Sequence, residues 1–171
     1  MNLSFREYQE SDWSSLVDVM CRFWDELRAK DRYERMIHPP EYGEVYCLEL
    51  LEKVAHNEGS LQLAFSGETL VGLVAGVVEQ QSAQNRVELG PCRAGRVLEV
   101  YVEPSARGRR VGEQLMARME QLLIERGCDL LKVEVFALNG EAHRFYHRLG
   151  FQDWMVDLFK PIGEAGPKRT P

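Results

Sequence analysis

Apolar positions recur along this chain with two periods, and the order in which the periods alternate lays out a fold. Leu3, Phe5 and Tyr8 mark a short first strand. Ser11 and Asp12 offer N-caps, and behind them Trp13, Leu16, Val17, Met20, Trp24 and Leu27 fall at helical spacing, which predicts a helix with one buried stripe. The segment DRYERMIHPPEYGE cannot extend that helix, because proline disfavours helical backbone at the residue before it and Pro39 and Pro40 stop any helix at His38. An exposed loop rich in aromatic and acidic residues is expected there. Cys47, Leu50, Leu51 and Val54 mark a second amphipathic helix that ends near Asn57 to Gly59.

The period then shortens to that of strands. Residues 61–65 and 70–79 are β-rich runs joined by the hairpin-type turn Ser66-Gly67-Glu68-Thr69. A polar stretch over residues 80–94 leads to a third run, residues 96–103, closed by Pro104. Val111, Leu115, Met119, Leu122 and Leu123 predict a helix of about four turns. Residues 130–136 form another run, residues 140–149 a short helix, and residues 151–159 a last strand. The order β-α-α-β-β-β-α-β-α-β is that of an α+β protein with α/β-like layers. Within it, residues 96–136 make a strand, a crossover helix and a strand, which implies a parallel pair with a right-handed crossover. Ligands of such units gather beyond the carboxyl ends of the strands, so residues 102–112 and 137–139 are expected to share one site.

Composition narrows the setting. At 171 residues, 44% hydrophobic and 28% charged, the chain suits one soluble domain that buries about two-thirds of its unfolded surface. That domain is expected over residues 1–162, with the Gly-, Pro- and charge-rich residues 163–171 a disordered tail. No apolar run approaches a membrane span, and the start, MNLSFREYQE, has neither a basic region nor an apolar one. The expected location is the cytoplasm, with no membrane partner. Cys21, Cys47, Cys92 and Cys128 form no CxxC pair, so they are expected to be reduced structural thiols. A net charge of −6 argues against a nucleic-acid partner, which needs a basic face to displace counterions.

Against that acidic background, SARGRRVGEQL sets Arg107, Arg109 and Arg110 where a helix begins. Cations there oppose the helix dipole by roughly 0.3–1 kcal/mol each, unless an anion joins them. Gly108 and Gly112 let a ligand approach the backbone closely, and the turn leaves N–H groups pointing outward, so a diphosphate is the natural guest. Neither GxxxxGK[ST] nor GxGxxG occurs. The competing account of the arginines is a solvated surface knot.

Two motifs together favour the ligand. VLEVYVEP followed by Arg107-Gly108-Arg109-Arg110-Val111-Gly112, and NGEAHRFYHRLGF from Asn139 to Phe151, resemble the paired signatures of the GNAT superfamily of N-acetyltransferases. The resemblance is strong over about residues 60–160. It implies a mixed, mostly antiparallel sheet with a central parallel strand-helix-strand unit and helices on both faces. Acetyl-CoA is then the cosubstrate, with no metal. Its pyrophosphate would lie on the amides of Arg107, Gly108, Arg109, Arg110, Val111 and Gly112, and its pantetheine arm on Asn139. The oxygen of its thioester would face a backbone N–H of Val100, Tyr101 or Val102. One departure stands out: Arg110 occupies a position where the family more usually has glycine.

Acyl transfer to an amine needs a neutral amine and a proton for the leaving thiolate. An alkylamine of pKa about 10.4 is almost wholly protonated at neutral pH, which makes a base useful, and a tyrosine near 10 can protonate a thiolate whose thiol has a pKa of about 8.5. Tyr146 matches the family's general acid; the alternative is a core tyrosine beside Ala142, Phe145 and Leu149. For the base, Glu134 interrupts LLKVEVF and ranks slightly ahead of Glu99, which stands between Leu98 and Val100. Each is expected to gain basicity from apolar neighbours, and the alternative is a strand-face glutamate in water or paired with Lys132 or Arg96. A water chain with no dominant base remains open. Asn139 has the further reading of a helix N-cap. His143 and His147 stand at a metal-ligand spacing, but no third ligand is apparent, so no metal is expected.

The expected reaction is acetylation of a primary amine on a small cationic molecule, with Tyr33, Glu41, Tyr42, Glu44 and Glu79 as candidates to line the acceptor site. Two alternatives remain: a protein N-terminus or lysine as acceptor, or a non-catalytic sensor that binds acyl-CoA. Assembly is left open, a homodimer included.

Overall fold

The structure is a computed structural model, and it describes residues 3–160 and Ile162. Five strands form one sheet: β1 (Leu3–Glu7), β2 (Ser60–Ser66), β3 (Thr69–Val78), β4 (Ala94–Val102) and β5 (Leu130–Val133), paired in that order. β1 to β4 run antiparallel to their neighbours, and β4 and β5 are parallel, as the strand-helix-strand reading requires. The helices are α1 (Trp13–Arg28), α2 (Tyr42–His56), α3 (Ala83–Leu89), α4 (Val111–Glu125) and α5 (Gly140–Arg148). None among the described residues is long and apolar enough to cross a membrane.

The chain divides into two compact units: residues up to Cys21 with Pro40–Glu134, and Arg22–Pro39 with the residues from Val135 on. The first holds the sheet. Its middle strand, TLVGLVAGVV, is apolar almost throughout and buried from Leu70 to Val78. That is the pattern of a strand covered on both faces. α4 packs across β2, β3 and β4, while α2 packs on β2 and β3. Leu16, Val19 and Met20 of α1, Cys47 and Leu50 of α2, and Leu115, Met119 and Leu123 of α4 complete the core. The approach of α4 to the sheet is close enough to need glycine beneath it. A Cβ on Gly76 would lie 2.6 Å from Met119 Sδ.

One irregularity positions the site. Ala75 pairs with Glu99 but Gly76 pairs with Val97, so Leu98 is an extra residue on β4. Strand side chains alternate, and a bulge shifts that alternation by one. Gly95 lies under Leu123 of α4, whereas Glu99, beyond the bulge, meets Tyr46 of α2 on the opposite face.

In the second unit, Trp24 donates from Nε1 to the Ile37 carbonyl at 2.6 Å. Asp31 gathers the N–H groups of Tyr33, Arg35 and Met36, so the loop after α1 is turned by one carboxylate. α5 buries Tyr146 between Phe145 and Phe151, with ring centroids 5.3 and 5.7 Å away.

Three expectations are corrected. Residues 151–160 enter neither strand nor helix, and Trp154, Met155 and Leu158 are strongly exposed; alternating apolar residues make a strand only where a partner strand pairs with them. The polar stretch holds α3, capped where Ser82 Oγ accepts from Asn85 N–H at 3.1 Å and ended by Gly90 at φ 76°. β5 stops at Val133, which leaves Glu134 beyond the strand. The expected tail, residues 163–171, lies outside the described residues.

Candidate active site

The bulge gives β4 two different edges. Residues 94–97 pair with β5, and beyond Val97 that pairing ends while pairing with β3 continues to Val102. Along Glu99, Val100, Tyr101 and Val102, one edge of β4 therefore faces no strand among the described residues. Such an edge offers N–H and C=O groups to an extended ligand, as in strand addition. Arg107 closes its far end: Nε donates to the Val102 carbonyl at 2.9 Å and the guanidinium lies 5.7 Å from the Tyr101 ring centre.

The same strand carries the most perturbed carboxylate of the first unit. Glu99 is largely withdrawn from water and accepts a hydrogen bond from the Tyr46 hydroxyl. Desolvation pushes its pKa up to about 7, against the smaller opposing effects of the Tyr46 hydrogen bond and the Lys53 charge. Tyr46 and Tyr42, stacked 5.4 Å apart, are held above the ordinary tyrosine range by burial and by Glu99, so both stay protonated. A carboxyl group half ionised at neutral pH is suited to accept a proton from an ammonium group.

Glu134 has no such environment. Its side chain is 84% exposed and stands 3.7 Å from Arg96, which corrects the expectation that apolar neighbours surround it. Glu79 takes ion pairs from Arg96 at 2.8 Å and Lys132 at 2.6 Å. Burial tends to raise its pKa, but these two cations hold it below the usual carboxylate range.

After β4, Pro104–Ala106 form a 3-10 turn, and α4 begins at Val111. The first helical bond into the turn runs from Gln114 N–H to the Arg110 carbonyl at 3.0 Å, so the N–H groups of Val111, Gly112 and Glu113 precede the helical ladder. Gly108 has φ 74°. Arg110, the departure from the family pattern, also takes the left-handed conformation, at φ 59° and ψ 19°. The arginine thus adopts the backbone that glycine favours, at a cost of roughly 1–2 kcal/mol. Arg109 and Arg110 are exposed beside amides that an anion can use.

In the second unit, Asn139 caps α5, its Oδ1 accepting from Ala142 N–H at 3.5 Å and from Lys30 Nζ at 2.9 Å. Tyr146 is buried one turn beyond Ala142. On the outer face of α5, His143 and His147 approach Asp153 Oδ1 at 2.7 and 3.0 Å. The neighbouring imidazoles of His143 and His147 hold the Asp153 carboxyl below its usual range.

Sequence reasoning missed Tyr46, Lys30 and Asp153. Tyr46 was legible only as a polar-tipped aromatic beside buried Cys47. Lys30 carried no signal, and Asp153 lay within a run taken for a strand. None of the four cysteines is in a disulfide among the described residues, and burial raises the Cys47 thiol to about 12, which suits the structural role expected of it.

The fold is shared with known acetyltransferases. A model of the Acetyltransferase (GNAT) family matches residues 13–151, and the chain belongs to that family. It is similar to an IAA acetyltransferase of Azospirillum brasilense, 26% identical over 90% of this chain and 87% of that protein. Over a shorter stretch it is similar to an aminoalkylphosphonate N-acetyltransferase of Salmonella typhimurium, 34% identical over 34% of this chain and 38% of that protein. Among solved structures, aminoglycoside N-acetyltransferase AAC(6')-Iy in complex with CoA superposes with a TM-score of 0.71 at 16% identity, covering 94% of this chain and 95% of the other. This protein is an N-acetyltransferase with acetyl-CoA as its cosubstrate. The unpaired edge of β4 and the amide-bearing turn before α4 fit such a group: one is extended and polar, the other suited to an anion.

Proposed function

We propose that the protein transfers the acetyl group of acetyl-CoA to the primary amine of a small cationic molecule, within a single domain spanning residues 1–162. The observation that carries the reading is Glu99: a desolvated carboxylate of pKa about 7, on the strand whose β5-side edge is left unpaired beyond Val97 among the described residues. Glu99 takes the proton of the acceptor ammonium, and its charge attracts a cation. Tyr146 protonates the departing thiolate. Backbone N–H groups from Val100 to Val102 stabilise the thioester oxygen, and Asn139 orients the pantetheine arm. The turn from Arg107 to Gly112 binds the pyrophosphate through its amides, with Arg109 and Arg110 neutralising charge. Glu134 has no role as base in this scheme.

One of the relatives described above, the aminoalkylphosphonate N-acetyltransferase, is named for a small amine-bearing molecule, which supports a small acceptor. A cytoplasmic location accompanies this reading. The test is thiol release from acetyl-CoA by the purified chain across a panel of polyamines, aminophosphonates, aminoglycosides and lysine-containing peptides. Release stimulated by small cations supports the proposal. Stimulation by peptides alone moves the acceptor to protein, and binding without amine-dependent release makes the chain a sensor.

A further inference from the structure

We propose that His143, His147 and Asp153 form a site for one divalent transition-metal ion of the zinc class at the C-terminal end of α5. The two histidines are one helical turn apart and share a face, their rings 4.5 Å apart and edge-on. Gly150, at φ 92°, then turns the chain, with its N–H bonded to the His147 carbonyl and that of Phe151 to the Tyr146 carbonyl. The turn returns Asp153 to the histidine face. One ligand atom from each of the three residues lies within 4.8 Å of the other two.

Hydrogen bonding alone does not satisfy this geometry. His143 Nε2 and His147 Nε2 both face Asp153 Oδ1, at 2.7 and 3.0 Å, and face each other at 3.3 Å. If both rings donate to the carboxylate, two N–H groups confront one another. If one ring donates to the other, the acceptor nitrogen has no proton left for Asp153. A shared cation uses all three lone pairs at once. Ligand atoms about 2.0–2.1 Å from a tetrahedral ion stand roughly 3.3 Å apart. The nitrogen pair already has that spacing, and the exposed Asp153 carboxylate reaches it by a small rotation.

Two imidazoles and one carboxylate select borderline ions such as Zn²⁺, Co²⁺ or Ni²⁺ over Mg²⁺ or Ca²⁺, which prefer oxygen alone. All three side chains are about half exposed, so water can complete the coordination. Of the neighbouring cations, Arg148 lies over the Phe145 ring and bonds the Arg144 carbonyl, away from the histidine face. A bound ion would tie α5 to the segment after Gly150, and so fix the backbone on both sides of Tyr146. The role assigned here is structural.

The site is tested on the full chain, free of any affinity tag and of metal, by titration with Co²⁺ followed in the visible spectrum and with Zn²⁺ by calorimetry. One ion per chain is expected, with Zn²⁺ raising the thermal midpoint. His143→Gln, His147→Gln and Asp153→Asn should each weaken binding by at least about tenfold, and the double histidine variant should abolish both binding and the thermal shift. These side chains are exposed, and unchanged circular dichroism will confirm that the variants fold. Absence of binding up to about 1 mM ion, or an ion retained by the double variant, would overturn the proposal.

Discussion

Glu99 is ionised against the resistance of its surroundings, and that resistance links activity to stability. Its folded pKa of about 7 lies above the ordinary 4.5. The folded state therefore holds the proton more tightly than the unfolded chain, and stability falls as pH rises from about 4.5 through about 7. Glu99→Gln keeps an acceptor for Tyr46 and removes the charge. Chemical denaturation should show the variant more stable than the parent by on the order of 1 kcal/mol at pH 8 and little different at pH 4. For the parent, kcat/KM should rise through an apparent pKa near 7, and the variant should lose that limb. A retained limb would move the base elsewhere. Tyr146→Phe keeps the ring packed between Phe145 and Phe151 and deletes only the hydroxyl. Turnover should fall by about a hundredfold or more with acetyl-CoA affinity within a factor of about two; an unchanged rate would leave Tyr146 a core residue.

Among the elements, the turn before α4 shows how local strain and ligand geometry meet. Arg110 occupies left-handed backbone, and its side chain is 83% exposed and pairs with Glu113 at 4.0 Å. Arg110→Gly should stabilise the protein by roughly 0.5–1 kcal/mol, measured by denaturant midpoint, because relief of the left-handed strain exceeds the added freedom of the unfolded glycine. Destabilisation would show that the side chain makes a contact worth more than the strain. The stripe of α1, the hairpin of β2 and β3, and the crossover through α4 were legible in the sequence because each follows from periodicity over many residues. The bulge at Leu98 was not, since nothing in VLEVYV distinguishes a continuous strand from one that inserts a residue. That single residue puts Glu99 on the α2 face, while the end of β5 at Val133 leaves Glu134 in water; both interrupt apolar runs, so the sequence did not tell the two environments apart. Residues 151–159 failed for a related reason. Their alternation resembles a strand, but pairing is a property of two segments, and reading a strand there concealed Asp153 from the two histidines.

For the whole molecule, the open question is whether its two compact units melt as one. Helix α1 runs from Trp13 to Arg28 without a break, and the division between the units falls inside it, between Cys21 and Arg22. Helix formation is cooperative, so loss of the core positions Leu16, Val19 and Met20 should fray the turns that carry Trp24 and its bond to Ile37. Scanning calorimetry is therefore expected to give one transition, with calorimetric and van't Hoff enthalpies equal. Acetyl-CoA at about a hundred times its Kd adds about 2.7 kcal/mol to the state it binds, which for a chain of this size raises the midpoint by roughly 5–10 °C. If the single-domain proposal holds, the whole transition moves together. Two transitions in the free protein, or a ligand that shifts only part of the heat absorption, would divide the chain into separately folding units and confine the binding contacts to one of them.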